Sequence, residues 1–216
     1  MTITWYGHSC FKIETRSGTL VTDPFPRELG LTPPRFRAEL LLVSHHHPSH
    51  ANIAAIPGEP FVISGPGEYE RLGIEVRGIR TYHDARRGAE RGLNTAYAIT
   101  AEGMKLLHLG DYGEDTLRTE AADEIGAVDI ILVPVGGSST IGPGEAVRLI
   151  KQLEPTIVIP MHYRLPGLTA PLLPLELFLK ELGVKEPVPL PKLTIKKKEV
   201  GASKEMLRVL SPVSAA

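Results

Sequence analysis

ELLLVSHHHPSH, residues 39–50, joins a short apolar run to four histidines that stand within six positions. The run Glu39–Ser44 predicts a buried strand, because strands covered on both faces read as nearly continuous apolar segments. The loop after such a strand lies at its carboxyl end, where α/β folds place their chemistry. The segment therefore predicts a layered α/β fold with a functional site directly after this strand.

The ends of other predicted strands also carry histidine or aspartate. Apolar segments with strand character precede His83, Asp111 and His162, and His8 lies between the first two predicted strands. Because metal ligands are gathered from such strand ends, these residues add to the histidines after residue 44. The distribution of the eight histidines therefore predicts one shared site.

The residue types in this set predict a metal site. Imidazole nitrogen suits zinc and related ions, and a carboxylate adds charge neutralisation and can bridge two ions. His45 and His47 can reach one ion from an extended loop, His50 can turn to a neighbouring site, and Asp111 can bridge them. Two ions about 3.5–4 Å apart would activate a water and clamp an ester, lactone or phosphodiester. Alternatively, the cluster is a chance loop composition or a weak metal scavenger.

The rest of the chain alternates short strands with helices, which predicts one α/β domain over residues 1–216. Strands are expected at Thr2–Tyr6, Cys10–Glu14, Leu20–Thr22, Phe61–Ser64, Ile74–Tyr82, Thr95–Thr100, Lys105–Leu109, Val128–Val133 and Thr156–Ile159. Helices are expected at Ala51–Ile56, Asp115–Ile125, Gly144–Leu153 and Leu172–Leu182. Leu193–Lys197 and Leu207–Leu210 are expected to form a closing hairpin, with Lys196–Lys198 as a charged edge strand.

Composition excludes several classes of protein. Hydrophobic residues make up 42% of the 216 residues, and 24 Lys and Arg face 25 Asp and Glu, so disorder and an overall attraction to nucleic acid are disfavoured. The chain has one cysteine and shows neither a signal peptide nor an apolar run long enough to cross a membrane. We expect a cytoplasmic protein with no nucleic-acid or membrane partner.

The ordered motifs resemble those of the metallo-β-lactamase-fold hydrolases, and most closely their small bacterial branch related to L-ascorbate-6-phosphate lactonase. The family pattern is His-x-His-x-Asp-His after a strand, followed by a His, an Asp and a final His. The resemblance rests on residues 44–50, 82–84, 108–111 and 160–163, with further likeness at 3–10, 65–69, 91–95 and 133–137. It extends from about residue 1 to residue 165.

The resemblance implies a four-layer αββα sandwich with the site at one edge. By position, it implies that His45, His47 and His83 hold a first ion and that His50 and His162 hold a second, with Asp111 bridging. It also implies that Asp23 orients the metal-binding loop and that His8 and Asn94 lie near the pocket. Zinc is the expected metal, as one or two ions, although manganese, iron and nickel accept the same ligands.

The chain departs from the family pattern at two positions. Ser49 stands where the family has the aspartate that binds the second ion, which predicts a full first site and a weakened or empty second site. Glu114 stands where the branch often has histidine, so its carboxylate could compensate for Ser49. The alternative is that Glu114 is a solvated residue at the start of a helix, where the helix dipole favours it.

Two segments could recognise an anionic substrate. The loop Gly136–Ser139 could cradle an anion with backbone N–H groups, or it could be a tight turn. Arg86 and Arg87 could meet an anion next to His83, or they could lie in a solvated loop.

Two interpretations of function follow. The first is a metal-dependent hydrolase that acts on a small molecule, with His50, His162 and Asp111 organising the attacking water. The second is a catalytically impaired relative that binds a metal or ligand on the same scaffold, as the loss at Ser49 suggests. A homo-oligomer is compatible with both.

Overall fold

The computed structural model describes residues 1–185, 187–200 and 206–213. The described strands are β1 Thr2–Gly7, β2 Cys10–Glu14, β3 Thr19–Thr22, β4 Leu40–Leu42, β5 Phe61–Ile63, β6 Gly67–Arg71, β7 Ile74–Tyr82, β8 Leu93–Ala101, β9 Met104–His108, β10 Ile130–Pro134, β11 Ile157–Met161, β12 Leu193–Thr194 and β13 Met206–Leu207. The described helices are α1 Thr119–Ile125, α2 Pro143–Leu153, α3 Leu175–Leu182 and α4 Lys197–Val200. One-turn 3₁₀ helices occur at Arg27–Leu29 and Ile53–Ala55.

The strands form two sheets. Within the described residues, one has the order β12-β1-β2-β3-β4-β5 and the other the order β13-β11-β10-β9-β8-β7-β6. Side chains from both sheets and from α1, α2 and α3 meet in one hydrophobic cluster, with Trp5 and Tyr97 among its largest fully buried members. The expected mixed α/β class with paired sheets is confirmed.

The sheet topology brings several strand ends to one edge. Strands β9, β10 and β11 are parallel, and β7 has the same direction because both β7 and β9 pair antiparallel with β8. The carboxyl ends of β7, β9 and β11 therefore point to one edge, and the amino end of β8 lies there too. In the other sheet, β3 and β4 are parallel and end side by side.

The expected closing hairpin is wrong. Strand β12 pairs antiparallel with β1, whereas β13 pairs parallel with β11 in the other sheet. The apolar pattern showed that both segments are strands but not which partners they take, because short edge strands carry little register information. The expected edge strand at Lys196–Lys198 is also wrong, since Lys197 begins α4.

Other boundaries differ for local reasons. The predicted helix Leu172–Leu182 begins only at Leu175, because Pro174 has an extended backbone with φ −75° and ψ 155°. The helix predicted from Asp115 begins at Thr119, after Arg118 in an extended conformation. Strand β6 was not predicted from the sequence, because its residues are largely exposed and lack an apolar alternation. In the part of the chain that the structure describes, no helix has the length and apolar character needed to cross a membrane.

Candidate metal centre

Four strand ends deliver the predicted ligands. His83 directly follows β7, Asp111 lies three residues after β9, and His162 directly follows β11. The loop that contains His45 and His50 follows β4 in the other sheet. The two sheets therefore face each other across the site, with each contributing imidazoles.

Asp111 is the centre of the cluster. Its Oδ1 lies 3.3 Å from Nε2 of His50 and 3.3 Å from Nε2 of His162. Its Oδ2 lies 3.4 Å from Nε2 of His83. Burial alone would raise the pKa of the Asp111 carboxyl, but His162 and His50 hold it well below its usual range. Asp111 is therefore an ionised carboxylate between imidazoles from both sheets.

Asp23 contacts both ends of the loop that carries the histidines, at Ser44 and at His50. It has a φ of 41° and is fully buried. Its Oδ1 accepts a hydrogen bond from the backbone N–H of Ser44 at 2.7 Å, and its Oδ2 lies 2.9 Å from Nε2 of His108 and 3.2 Å from Nδ1 of His50. Burial would raise the pKa of Asp23, but these two imidazoles hold it well below its usual range. Asp23 thus holds the start of the loop through Ser44 and contacts His50.

Asn94 holds the Asp111 loop. Its Oδ1 accepts the backbone N–H of Asp111 at 3.0 Å, and its Nδ2 donates to Thr81 Oγ1 at 2.7 Å and to the carbonyl of Leu109 at 2.9 Å. Gly110, which lies between Leu109 and Asp111 in the chain, has a φ of 55°. A Cβ at this position would approach Asn94 Oδ1 at 2.6 Å and overlap Ser44. The loop can pass this close only because residue 110 has no side chain.

The protonation states of the loop histidines are set by their surroundings. Burial lowers the pKa of His45 to about 3, helped by the neighbouring His50, so its imidazole is neutral near pH 7. Burial would also lower the pKa of His50, but Asp111 and Asp23 raise it to about 10. The two carboxylates therefore stabilise a positive charge at His50.

His47 and Ser49 lie at the rim. The His47 side chain is exposed, and its Nδ1 lies 2.6 Å from the hydroxyl of Ser49. The rings of His45 and His47 are 6.1 Å apart, whereas those of His45 and His83 are 4.7 Å apart. The structure thus gathers the predicted ligands around Asp111, except that His47 lies farther out. His46 is exposed.

His8 belongs to the cluster as well. It follows β1 with a φ of 53°, is 2% exposed, and its ring lies 4.6 Å from that of His50 and 4.3 Å from that of His162. His162 also has a positive φ, 52°, and its N–H donates to the carbonyl of His8 at 3.1 Å. Two adjacent strained turns therefore direct both imidazoles into the site.

The donor atoms fit a bound metal. Two ligands held at about 2.1 Å by one tetrahedral ion lie about 3.4 Å apart, close to the spacing around Asp111. Two groups bring their ligand atoms within 4.8 Å of one another, namely His45 with His50 and Asp111, and His8 with His50 and His162. Buried atoms here also lack hydrogen-bond partners, including His45 Nε2 and His8 Nδ1. Such unpaired polar atoms are costly, and a cation would satisfy them.

Glu114 does not extend this cluster. Its Oε1 accepts the backbone N–H of Tyr82 at 3.1 Å, and its Oε2 accepts Nε of Arg118 at 2.8 Å. Glu114 is 7% exposed, so it is not a solvated residue, and α1 begins only at Thr119. Both oxygens fasten the loop after Asp111 to β7, and Glu114 is in neither of the two described groups of close ligand atoms.

The ligands lie at the floor of a cavity of about 950 Å³. Arg91, Ser138 and Ser139 line its wall, and Arg91 Nη2 is 3.5 Å from the carbonyl of Ser138. Among the described residues that line the cavity, Arg91 is the sole arginine or lysine. Arg86 is instead paired with Glu90 at 3.2 Å and is 76% exposed. Sequence reasoning missed Arg91 because it is eight residues after the nearest strand-end histidine.

Comparison with known proteins identifies the family. A family model described as the Beta-lactamase superfamily domain matches residues 2–162. The chain belongs to the beta-lactamase superfamily. A UPF0173 protein of Pyrococcus furiosus is 32% identical over 186 residues, covering 76% of this chain and 83% of the relative. A UPF0173 metal-dependent hydrolase of Pyrobaculum arsenaticum is 31% identical over 199 residues, which cover 76% of this chain and 84% of the relative.

A solved structure extends the likeness to the whole fold. It is a Thermotoga maritima protein described as a candidate Zn-dependent hydrolase of the metallo-beta-lactamase superfamily, with a TM-score of 0.80 and 36% identity. The alignment covers 97% of each chain. The expectation from the sequence is therefore confirmed for the superfamily and for a metal-dependent hydrolase. The relation to L-ascorbate-6-phosphate lactonase stays a prediction.

Proposed function

We propose that this metal-dependent hydrolase cleaves an ester, lactone or phosphoester bond in a small anionic molecule, with zinc as its metal. The observation that carries the proposal is the position of Asp111, which lies within 3.4 Å of imidazoles from three strand ends at the floor of a large cavity. A second observation supports an anionic substrate, because Arg91 lines the same cavity.

The chain's own residues have distinct tasks. The metal would be held by the side chains His45, His47, His50, His83, Asp111 and His162. When bound, a divalent ion supplies Lewis acidity and lowers the pKa of a water to about 7. Asp111 lies 3.3 Å from both His50 and His162, and these three residues would organise that water, while Asp23 and Asn94 hold their loops in place. Arg91 would bind the anionic group of the substrate.

Zinc is proposed because imidazole nitrogens dominate the donor set. Manganese, iron and nickel accept the same groups, so metal availability also matters. An imidazole must be unprotonated to bind a metal. His45 is already neutral near pH 7, whereas a metal ion would have to displace a proton from His50.

Ser49 is the residue on which both candidate functions depend. Its hydroxyl is close to Nδ1 of His47, and it brings no negative charge to the second position. We therefore propose that the second ion is held more weakly than the first. The second candidate function, a metal- or ligand-binding relative with impaired catalysis, rests on the same observation.

The deciding experiment measures metal content and hydrolysis together. The chain is purified without a histidine tag or chelator, its metals per chain are determined by elemental analysis, and ester, lactone and phosphodiester substrates are tested with and without an anionic group. Metal-dependent turnover that disappears in Asp111→Ala supports the hydrolase. A silent wild type that gains turnover on Ser49→Asp supports the impaired relative instead.

We propose a cytoplasmic protein with a small-molecule substrate, without a nucleic-acid or membrane partner. A homo-oligomer is compatible with the fold, and size-exclusion chromatography with light scattering would determine it.

A further inference from the structure

His8 occupies a position that the ligand pattern of the sequence does not include. It lies in the turn between β1 and β2, where its backbone φ of 53° turns the side chain into the site. The imidazole is almost completely buried, and its Nδ1 has no hydrogen-bond partner. A buried histidine in a strained turn with an unpaired nitrogen is costly unless something binds it.

The neighbours of His8 are both proposed ligands of the second ion. One ligand atom from each of His8, His50 and His162 lies within 4.8 Å of the others. The backbone fixes this proximity, because the N–H of His162 donates to the carbonyl of His8. His8 therefore shares the side of the cluster on which the second ion is expected.

That side of the cluster is also the one that lacks a ligand. Ser49 replaces the aspartate that the resemblance implies, and its hydroxyl lies against His47 at the rim rather than in the centre. A hydroxyl is a weak neutral ligand, whereas an imidazole nitrogen is one of the regular ligands of zinc, at about 2.0–2.1 Å. Glu114 is held away from this side by Tyr82 and Arg118, and it is not in the group that His8, His50 and His162 form.

We propose that His8 is a ligand of the second metal ion and that, with His50 and His162, it takes over from the carboxylate absent at Ser49. The inference rests on the proposed metal site but not on its catalytic activity. The second position is thus an imidazole site that carries one negative charge less than its counterpart in the family pattern.

The test compares His8→Asn with His46→Asn in the full chain. Asparagine tolerates a positive φ better than most residues, so the first variant removes the imidazole with little backbone strain. His46 is exposed in the same histidine run and provides the matched control. Each protein is stripped of metal and then titrated with zinc against a chromophoric chelator, and bound zinc is confirmed by elemental analysis.

Wild type and His46→Asn are expected to bind two zinc ions, and His8→Asn is expected to lose about a hundredfold or more in affinity for the second only. A double variant, His8→Asn with Ser49→Asp, is expected to regain the second ion, because it restores a carboxylate where the family has one. A merely structural role for His8 would not give this rescue.

The inference is overturned by a wild type that binds at most one zinc ion, or by a His8→Asn variant that binds two ions as tightly as wild type. The proposed function fails separately, since a wild type that binds two ions through His8 and hydrolyses none of the substrates refutes only the activity. Loss of the first ion in His8→Asn would also count against the assignment, because it indicates a general collapse of the site.

Discussion

The backbone N–H of Arg91 donates to the carboxylate of Asp84 at 2.7 Å, which places the arginine at the wall of the cavity. The same carboxylate accepts the N–H groups of Arg86, Gly88 and Glu90 at 2.8–3.1 Å. Burial would raise the pKa of Asp84, but these four donors lower it. One ionised side chain next to His83 therefore organises the whole loop that carries Arg91.

Arg91→Ala is expected to lower kcat/KM for an anionic ester by about tenfold or more, because a charge-assisted hydrogen bond contributes about 1.5–3 kcal/mol. A neutral ester of the same leaving group should be hydrolysed at an unchanged rate. Arg86→Ala is the matched control, since Arg86 is exposed and paired with Glu90. Equal losses on both esters would show that Arg91 does not read the charge of the substrate.

Asp84→Ala is expected to reproduce the substrate effect of Arg91→Ala, since it releases the loop that positions Arg91. The two substitutions should be non-additive in steady-state kinetics, because each removes the same contact with the substrate. The cycle is completed by the double variant. Additive losses would mean that Asp84 acts through His83 or the fold rather than through Arg91.

Glu114→Ala is expected to bind as much metal as wild type while lowering the free energy of unfolding by about 2 kcal/mol. It loses a charged partner for Arg118 and leaves the backbone N–H of Tyr82 without its acceptor. Denaturant unfolding of the metal-free protein measures the change, and the exposed neighbour Asp115 supplies the control variant Asp115→Ala. A selective loss of bound metal would restore Glu114 as a candidate ligand.

Strand ends could be predicted from the sequence, whereas contacts made by loops could not. The apolar segment before His45 predicted a buried strand. The parallel strands that precede His83, Asp111 and His162 bring these residues to one edge of their sheet. The position of Arg91 in the cavity wall could not be predicted, because it depends on a backbone hydrogen bond to Asp84 that leaves no periodic pattern in the sequence. Strands β12 and β13 were predicted as strands, but not their partners. They belong to different sheets, where β12 pairs with β1 and β13 with β11.

Gly110→Ala is expected to destabilise the protein by about 2–4 kcal/mol and to weaken metal binding. The new methyl group would meet Ser44 and Asn94, and the left-handed backbone adds its own strain. Gly58→Ala is the control, because Gly58 also has a positive φ but nothing within 4 Å of the added Cβ. Thermal unfolding and zinc titration of both variants separate backbone strain, which they share, from the close approach that only Gly110 makes. Equal effects in the two variants would contradict this explanation of Gly110.

Removal of the metal is expected to lower the melting temperature by about 8–16 °C. An ion present at 1,000 times its Kd stabilises the folded state by about 4 kcal/mol, and in a chain of this size 1 kcal/mol shifts the melting temperature by about 2–4 °C. The shift is large because buried ligand atoms without a hydrogen-bond partner, such as His45 Nε2 and His8 Nδ1, gain one when a cation binds. Calorimetry before and after dialysis against chelator measures it, and added zinc should restore the original value. Asp111→Ala should melt at nearly the same temperature with and without zinc, and a full zinc response in that variant would place the metal elsewhere in the protein.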